Sequence, residues 1–116
     1  LCAGAATADG DPAEVGRRLR ELKAELHLAT ALADLGGLLE LDGVTAALSD
    51  FADAALRTAL RTVARDAARR GRLGESADPH NPVPGLFCLA MGKHGAGELN
   101  YFSDIDISVF FEPERL

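Results

Sequence analysis

Between Leu86 and Phe111 a glycine-rich turn, Gly92-Lys93-His94-Gly95-Ala96-Gly97, separates two apolar runs, and Asp104 and Asp106 alternate with isoleucines at the head of the second run. Runs of this length, bounded by glycine and proline, predict strands over Leu86–Met91 and Ile105–Phe111. Glu112-Pro113 ends the second, because proline cannot donate to a ladder. Successive strand side chains point to opposite faces, so Asp104 and Asp106 project together with Cα atoms about 6.5–7 Å apart. Ile105, Ile107, Val109 and Phe111 then face the core. Two carboxylates this close repel unless a cation lies between them, and an all-oxygen donor set selects a hard divalent ion such as Mg²⁺. The chemistry predicted is metal-assisted phosphoryl or nucleotidyl transfer.

The chain has 116 residues, 47% of them hydrophobic, which is the composition of a globular fold. A formal charge of −6 argues against sequence-independent binding to nucleic acid, which needs a basic surface to displace phosphate counterions. No stretch reaches the roughly 18 apolar residues of a membrane span, and the start has no signal-peptide pattern. Cys2 and Cys88 are far apart, and Cys88 in its apolar run predicts a buried free thiol. A cytoplasmic protein is expected, without nucleic-acid or membrane partners. The chain starts at Leu1 and ends directly after a strand, so a fragment of something longer is expected.

An α+β organisation follows from the order of patterns. Residues 1–10 are small, polar and aperiodic, and are expected to be disordered or a linker. Residues 11–71 form a helical segment. Asp11-Pro12-Ala13-Glu14 is a helix start with Asp11 as cap, and Val15, Leu19, Leu22, Leu26, Ala29 and Ala33 form one apolar stripe that stops at Gly36-Gly37. A second helical region, one helix or two, runs from about Asp42 to Arg70, with Asp42 and Ser49 as candidate caps and Gly71 as the stop. Ala52, Leu56, Ala59, Leu60, Val63 and Ala67 are its expected buried face. The Leu19-Leu22-Leu26 and Leu56-Leu60-Val63 stripes would pair the two helices. Arg57, Arg61, Arg65 and Arg69 make a basic row at spacing four, read as a solvated face or as a docking surface for an acidic partner. Residues 72–85, rich in glycine and proline, form a connector, and residues 86–116 start a second unit with a short helical turn around Glu98.

The turn is not a P-loop: the residue five before Gly92 is Phe87, and His94 follows Lys93 where Ser or Thr is required. It also lacks the third glycine of the dinucleotide fingerprint. What remains is Gly92, a ten-residue gap after Lys93, and an Asp-hydrophobic-Asp-hydrophobic run, an arrangement that resembles the nucleotidyltransferase superfamily of polymerase β. Met91-Gly92-Lys93, Gly95, Glu98-Leu99-Asn100-Tyr101 and Ser103-Asp104-Ile105-Asp106 together resemble the bacterial glutamine synthetase adenylyltransferase and adenylyl-removing enzymes. Those enzymes carry two such halves, and Glu-Leu-Asn before the aspartates is typical of the first, AMP-removing half. Ala90, His94, Ala96 and Phe102 depart from the usual pattern.

The resemblance implies an N-terminal helical segment leading into a truncated polymerase β-like core with a mixed sheet. It implies an enzyme that regulates glutamine synthetase by adenylylation of a tyrosine and its phosphorolytic reversal, this half releasing ADP. Asp104 and Asp106 would be catalytic and hold Mg²⁺, and Gly92, Lys93 and Ser103 would contact nucleotide or phosphate. Implied partners are glutamine synthetase, a nitrogen-regulatory signal protein, ATP or ADP, and inorganic phosphate. The third carboxylate of the superfamily comes from a later strand, so the fragment alone is expected to be inactive. Alternatives are another polymerase β-like nucleotidyltransferase and a non-catalytic helical docking module.

Each residue also has a plainer role. Asp104 and Asp106 would otherwise form a solvated strand edge, and Lys93 would be a surface lysine. His94 is read as a turn residue, since no second His or Cys lies at metal spacing. Glu98 and Asn100 are read as structural, Tyr101 as packing against the strand or contacting nucleotide, and His27 and His80 as having no role.

Overall fold

A computed structural model describes residues 10–74, 76, 78 and 80–116. The expectation for residues 1–9 lies outside the described residues. Helix α1 spans Pro12–Leu35 and helix α2 spans Leu41–Arg69, followed by strand β1 (Leu86–Met91), a single turn α3 (Gly92–Gly95), strand β2 (Asp106–Phe111) and a 3₁₀ turn at Pro113–Arg115. The α+β class therefore holds. The sheet is a two-stranded antiparallel ladder among the described residues, where a mixed sheet was expected.

Both helices end as the glycines require. Gly37 and Gly71 adopt φ of 70° and 67°, and the Leu38 and Arg72 amides reach back to the Ala33 and Ala67 carbonyls. The starts differ from expectation. Asp11 supplies its backbone carbonyl to the Val15 amide, and its side chain makes no capping bond. Proline at the first helical position already fixes φ and removes one orphan donor. Helix α2 is continuous, so Ser49 lies in its interior and is no cap. No glycine or proline falls between Val44 and Arg69 to break it.

The helices fold back on one another over a core of Leu22, Leu26, Val44, Leu48, Phe51, Ala52 and Leu99. The expected pairing with Leu56-Leu60-Val63 is corrected: the N-terminal half of α2 provides the seam, and Val63 is 58% exposed. Farther along α2 the buried positions are Thr58, Thr62 and Ala64. Threonine enters this face because Thr58 and Thr62 donate their hydroxyls to the carbonyls of Ala54 and Thr58, four residues back, at 2.8 Å each. On α1, Thr30 is buried and Ala29 exposed, a rotation of one position from the predicted stripe. A second stripe, Leu28, Leu32 and Leu35, is open to solvent and continues through Leu38 and Leu41 at the hairpin tip.

Strand β1 has the predicted limits, whereas β2 begins at Asp106, one residue later than expected. The pairing runs from Leu86↔Phe111 to Met91↔Asp106. Ile105, Ile107, Val109 and Phe111 are 39–61% exposed rather than core-facing; Ile105 precedes the ladder, and Ile107, Val109 and Phe111 lie on a strand face that no described element buries. Cys88 is a free thiol, half-buried rather than buried. The opposite face carries Phe87 and Phe110 as a stacked pair, centroids 5.1 Å apart. No helix is long and apolar enough to cross a membrane.

Candidate metal and phosphate site

Antiparallel pairing sets Met91 opposite Asp106 at the last rung of the ladder, so the glycine turn leaves β1 at the point where the acidic strand begins. Gly92 takes φ +56°, and a Cβ there would stand 3.4 Å from the Asp106 Oδ2 atom. A side chain at Gly92 would thus fill the space between the turn and the carboxylate. Gly95 is excluded from carrying a side chain for another reason: its Cβ would lie 2.4 Å from the Ala90 carbonyl oxygen, which closes the turn onto β1. The helical turn is α3 itself, Gly92–Gly95, and Glu98 follows it in irregular backbone; the earlier placement around Glu98 is corrected. The turn tightens here because Ala96, Gly97 and Glu98 donate to the carbonyls of Gly92, His94 and Lys93.

Lys93, Asp104 and Asp106 are all solvent-exposed. Asp104 precedes the ladder, so the alternation rule that orients β2 covers Asp106 alone. Ser103 is tied into its own loop: its hydroxyl donates to Asn100 Oδ1 at 2.8 Å and accepts from the Asn100 amide at 3.0 Å. Asn100 Oδ1 also accepts from the Phe102 amide at 3.1 Å, which makes Asn100 the organiser of the approach to Asp104. Among the described residues, no group of three or more His, Cys, Asp or Glu side chains is placed to hold a metal. Asp104 and Asp106 are two exposed carboxylates two residues apart at the head of β2. Magnesium is commonly held by one or two carboxylates, with phosphate and water completing the shell, so these residues fit that ion.

Two contacts fasten the segment to α2. His94 Nε2 lies 2.7 Å from Asp53 Oδ1, and the Leu99 amide donates to the Ser49 hydroxyl at 3.3 Å. Tyr101 packs edge-on against His27, centroids 5.6 Å apart. Tyr101 is thus a packing residue, with its phenol oxygen buried and without a hydrogen-bond partner. Burial, with the Asp34 carboxylate adding to it, raises the Tyr101 pKa above its usual 10.0. Burial and then the Lys23 ammonium lower the His27 pKa below 6.5. His27, His94 and Ser49 all matter structurally: His27 was expected to have no role and Ser49 to be a cap, whereas His94 lies in the turn as expected and is in addition buried against α2. Only His27 left a trace, lying next to Leu26 of the apolar stripe.

A half-open groove of about 180 Å³ runs behind this segment, floored by Leu48, Phe51 and Leu99 and edged by Arg20 and Lys23. Ser103 and Ile105 line it. The arginine row is partly neutralised within its own helix: Arg57 lies 3.9 Å from Asp53, while neighbouring Arg70 pairs with Asp66 at 2.8 Å.

A model of the glutamate-ammonia ligase adenylyltransferase family matches residues 4–116, and the chain belongs to that family. Its relatives include a bifunctional glutamine synthetase adenylyltransferase/adenylyl-removing enzyme of Caulobacter vibrioides, 56% identical over all of this chain and 12% of that protein. Proteins of the same description from Xanthobacter autotrophicus and a Bradyrhizobium species are 55% and 54% identical over 98% and 95% of the chain. The chain spans about 12% of the length of the first two relatives. No solved structure gives a significant match.

Proposed function

We propose that this chain is the opening part of the AMP-removing half of an enzyme that adenylylates and deadenylylates glutamine synthetase, and that residues 86–116 begin a polymerase β-like core. The observation that carries the reading is the approach of Gly92 to Asp106, which joins a glycine turn to the acidic strand within one antiparallel ladder. Relatives named for both activities support the enzyme, and Asn100 in the Glu98-Leu99-Asn100 run supports the choice of half.

In this reading Asp104 and Asp106 hold Mg²⁺, which when bound offsets charge on the attacking and leaving oxygens of phosphoryl transfer. The open backbone at Gly92 lets a phosphate approach without meeting a side chain, and Lys93 adds a mobile positive charge beside it. Ser103 reaches phosphate only by exchanging its bond to Asn100, so its contribution is the smallest of the set. The substrate is a protein tyrosine carrying AMP. Inorganic phosphate attacks the AMP phosphorus, the bond to the phenolic oxygen breaks, and ADP leaves as the tyrosine recovers its proton from solvent. A nitrogen-regulatory signal protein and cytoplasmic operation complete the proposal.

The test uses the polypeptide carrying this chain, adenylylated glutamine synthetase and inorganic phosphate, with ADP release as the readout. Loss of release in Asp106→Asn with unchanged circular dichroism is expected. Normal release in both Asp104→Asn and Asp106→Asn rejects the proposal.

A further inference from the structure

We propose that His94 and Asp53 form a strut that positions the Gly92-Lys93 turn against Asp106, making both positioning residues for the metal and phosphate site; the inference rests on the reading of that site given above. A four-residue helical turn has no stability of its own, because nucleating a helix fixes several dihedrals for a single hydrogen bond. Something outside α3 must hold it. From Gly92 to Glu98 every residue is exposed except His94, whose side chain is 1% exposed. Within these residues one side chain alone is buried, and it reaches 2.7 Å to a carboxylate on α2.

The partner is well placed to bear this load. Asp53 follows Phe51 and Ala52, both in the core, so its backbone moves only if the helix hairpin moves. Ser49 lies one helical turn earlier and receives the Leu99 amide. Residues four apart share a helix face. Helix α2 thus offers two acceptors at fixed spacing, and they grip the glycine segment at His94 and at Leu99.

Chemistry sets the form of the histidine. A carboxylate only accepts, so Nε2 carries the hydrogen. Nδ1 is buried without a partner. The strut is the Nε2–H of His94 donating to the Asp53 carboxylate.

Two variants separate positioning from mere filling. His94→Leu keeps most of the volume and loses the donor; His94→Gln places an amide N–H near the position of Nε2. The probe is Mn²⁺, followed by its electron-spin resonance signal in the polypeptide carrying this chain, with amide hydrogen exchange of residues 92–97 measured on the same samples. The expected result is at least about a fivefold weakening of Mn²⁺ binding and faster exchange in His94→Leu, with both restored to within about twofold by His94→Gln. Asp53→Ala should reproduce the leucine variant.

Wild-type exchange in folded His94→Leu overturns the strut, as does Mn²⁺ binding within twofold of wild type when Asp106→Asn abolishes it. If Asp106→Asn leaves Mn²⁺ binding intact, the metal reading fails by itself. The strut is then judged on exchange alone, where loss in His94→Leu and recovery in His94→Gln sustain it.

Discussion

The Leu99 amide donates to the hydroxyl of Ser49 in the interior of α2, and both residues are buried. This bond joins the glycine segment to the helical core in a place water does not reach. Ser49→Ala would leave a buried N–H without an acceptor, at a cost of about 1–3 kcal/mol. Urea unfolding should show that loss, while Ser49→Thr, if its methyl is accommodated, should recover much of it. A midpoint unchanged in Ser49→Ala would mean that the Leu99 amide finds another acceptor.

Gly92→Ala tests the approach of the turn to the acidic strand. The left-handed φ costs an L-residue about 1–2 kcal/mol, while the new methyl would only reach contact with the Asp106 carboxylate. Stability should fall by about that amount, with a larger proportional loss of phosphorolysis. Equal activity with reduced stability would place the phosphate elsewhere.

Asp104→Asn and Asp106→Asn each remove one charge from the proposed metal set. A loss of about 3 kcal/mol in transition-state stabilisation corresponds to roughly a hundredfold slower AMP removal. Addition of AMP by the other half of the polypeptide should proceed normally. Both rates can be followed on glutamine synthetase, and loss of addition with intact removal would assign the chain to the AMP-adding half instead.

The burial of His27 and Tyr101 sets a pH window. His27 has a depressed pKa in the fold, so below about 6.5 the unfolded chain takes up the proton first and stability falls with pH until the folded form also titrates. Tyr101 has a raised pKa, so above about 10.0 the unfolded chain loses its proton first and stability falls as pH rises. Between these limits the pair contributes a plateau. Replacing His27 by Phe should flatten the acidic slope in thermal melts recorded from pH 5 to 8.

The ladder leaves Phe87, Leu89, Met91 and Phe110 exposed on one face and Ile107, Val109 and Phe111 on the other. Apolar surface of this kind drives association. The chain should sediment as oligomers at micromolar concentration, and Phe87→Ser with Phe110→Ser should shift it toward monomer.

Elements with local signals were legible in the residues. Pro12, Gly37 and Gly71 bracket the helices, and the Leu86–Met91 run has its observed limits. The turn and the aspartates were found together because their spacing is local. Of the buried face of α2 Ala52 was legible and the rest was not, since Thr58 and Thr62 count as polar in a periodic pattern yet satisfy their hydroxyls within the helix. His94 could not be matched to Asp53 across 41 residues, because nothing near either one encodes the meeting. The expectation that the β2 isoleucines face a core failed because an apolar strand face shows only that cover is wanted, not which residues provide it.

Ser49 and Asp53 give α2 the character of a ruler. Each added residue turns a helix by about 100° and advances it about 1.5 Å. One residue inserted between the two acceptors would swing Asp53 off the face that meets His94 while leaving Ser49 beneath Leu99. Length changes in the middle of α2 should therefore be far more damaging than changes of composition on its outer side. The spacing of a helix remote in sequence thus sets how far apart the two ends of the glycine segment are held.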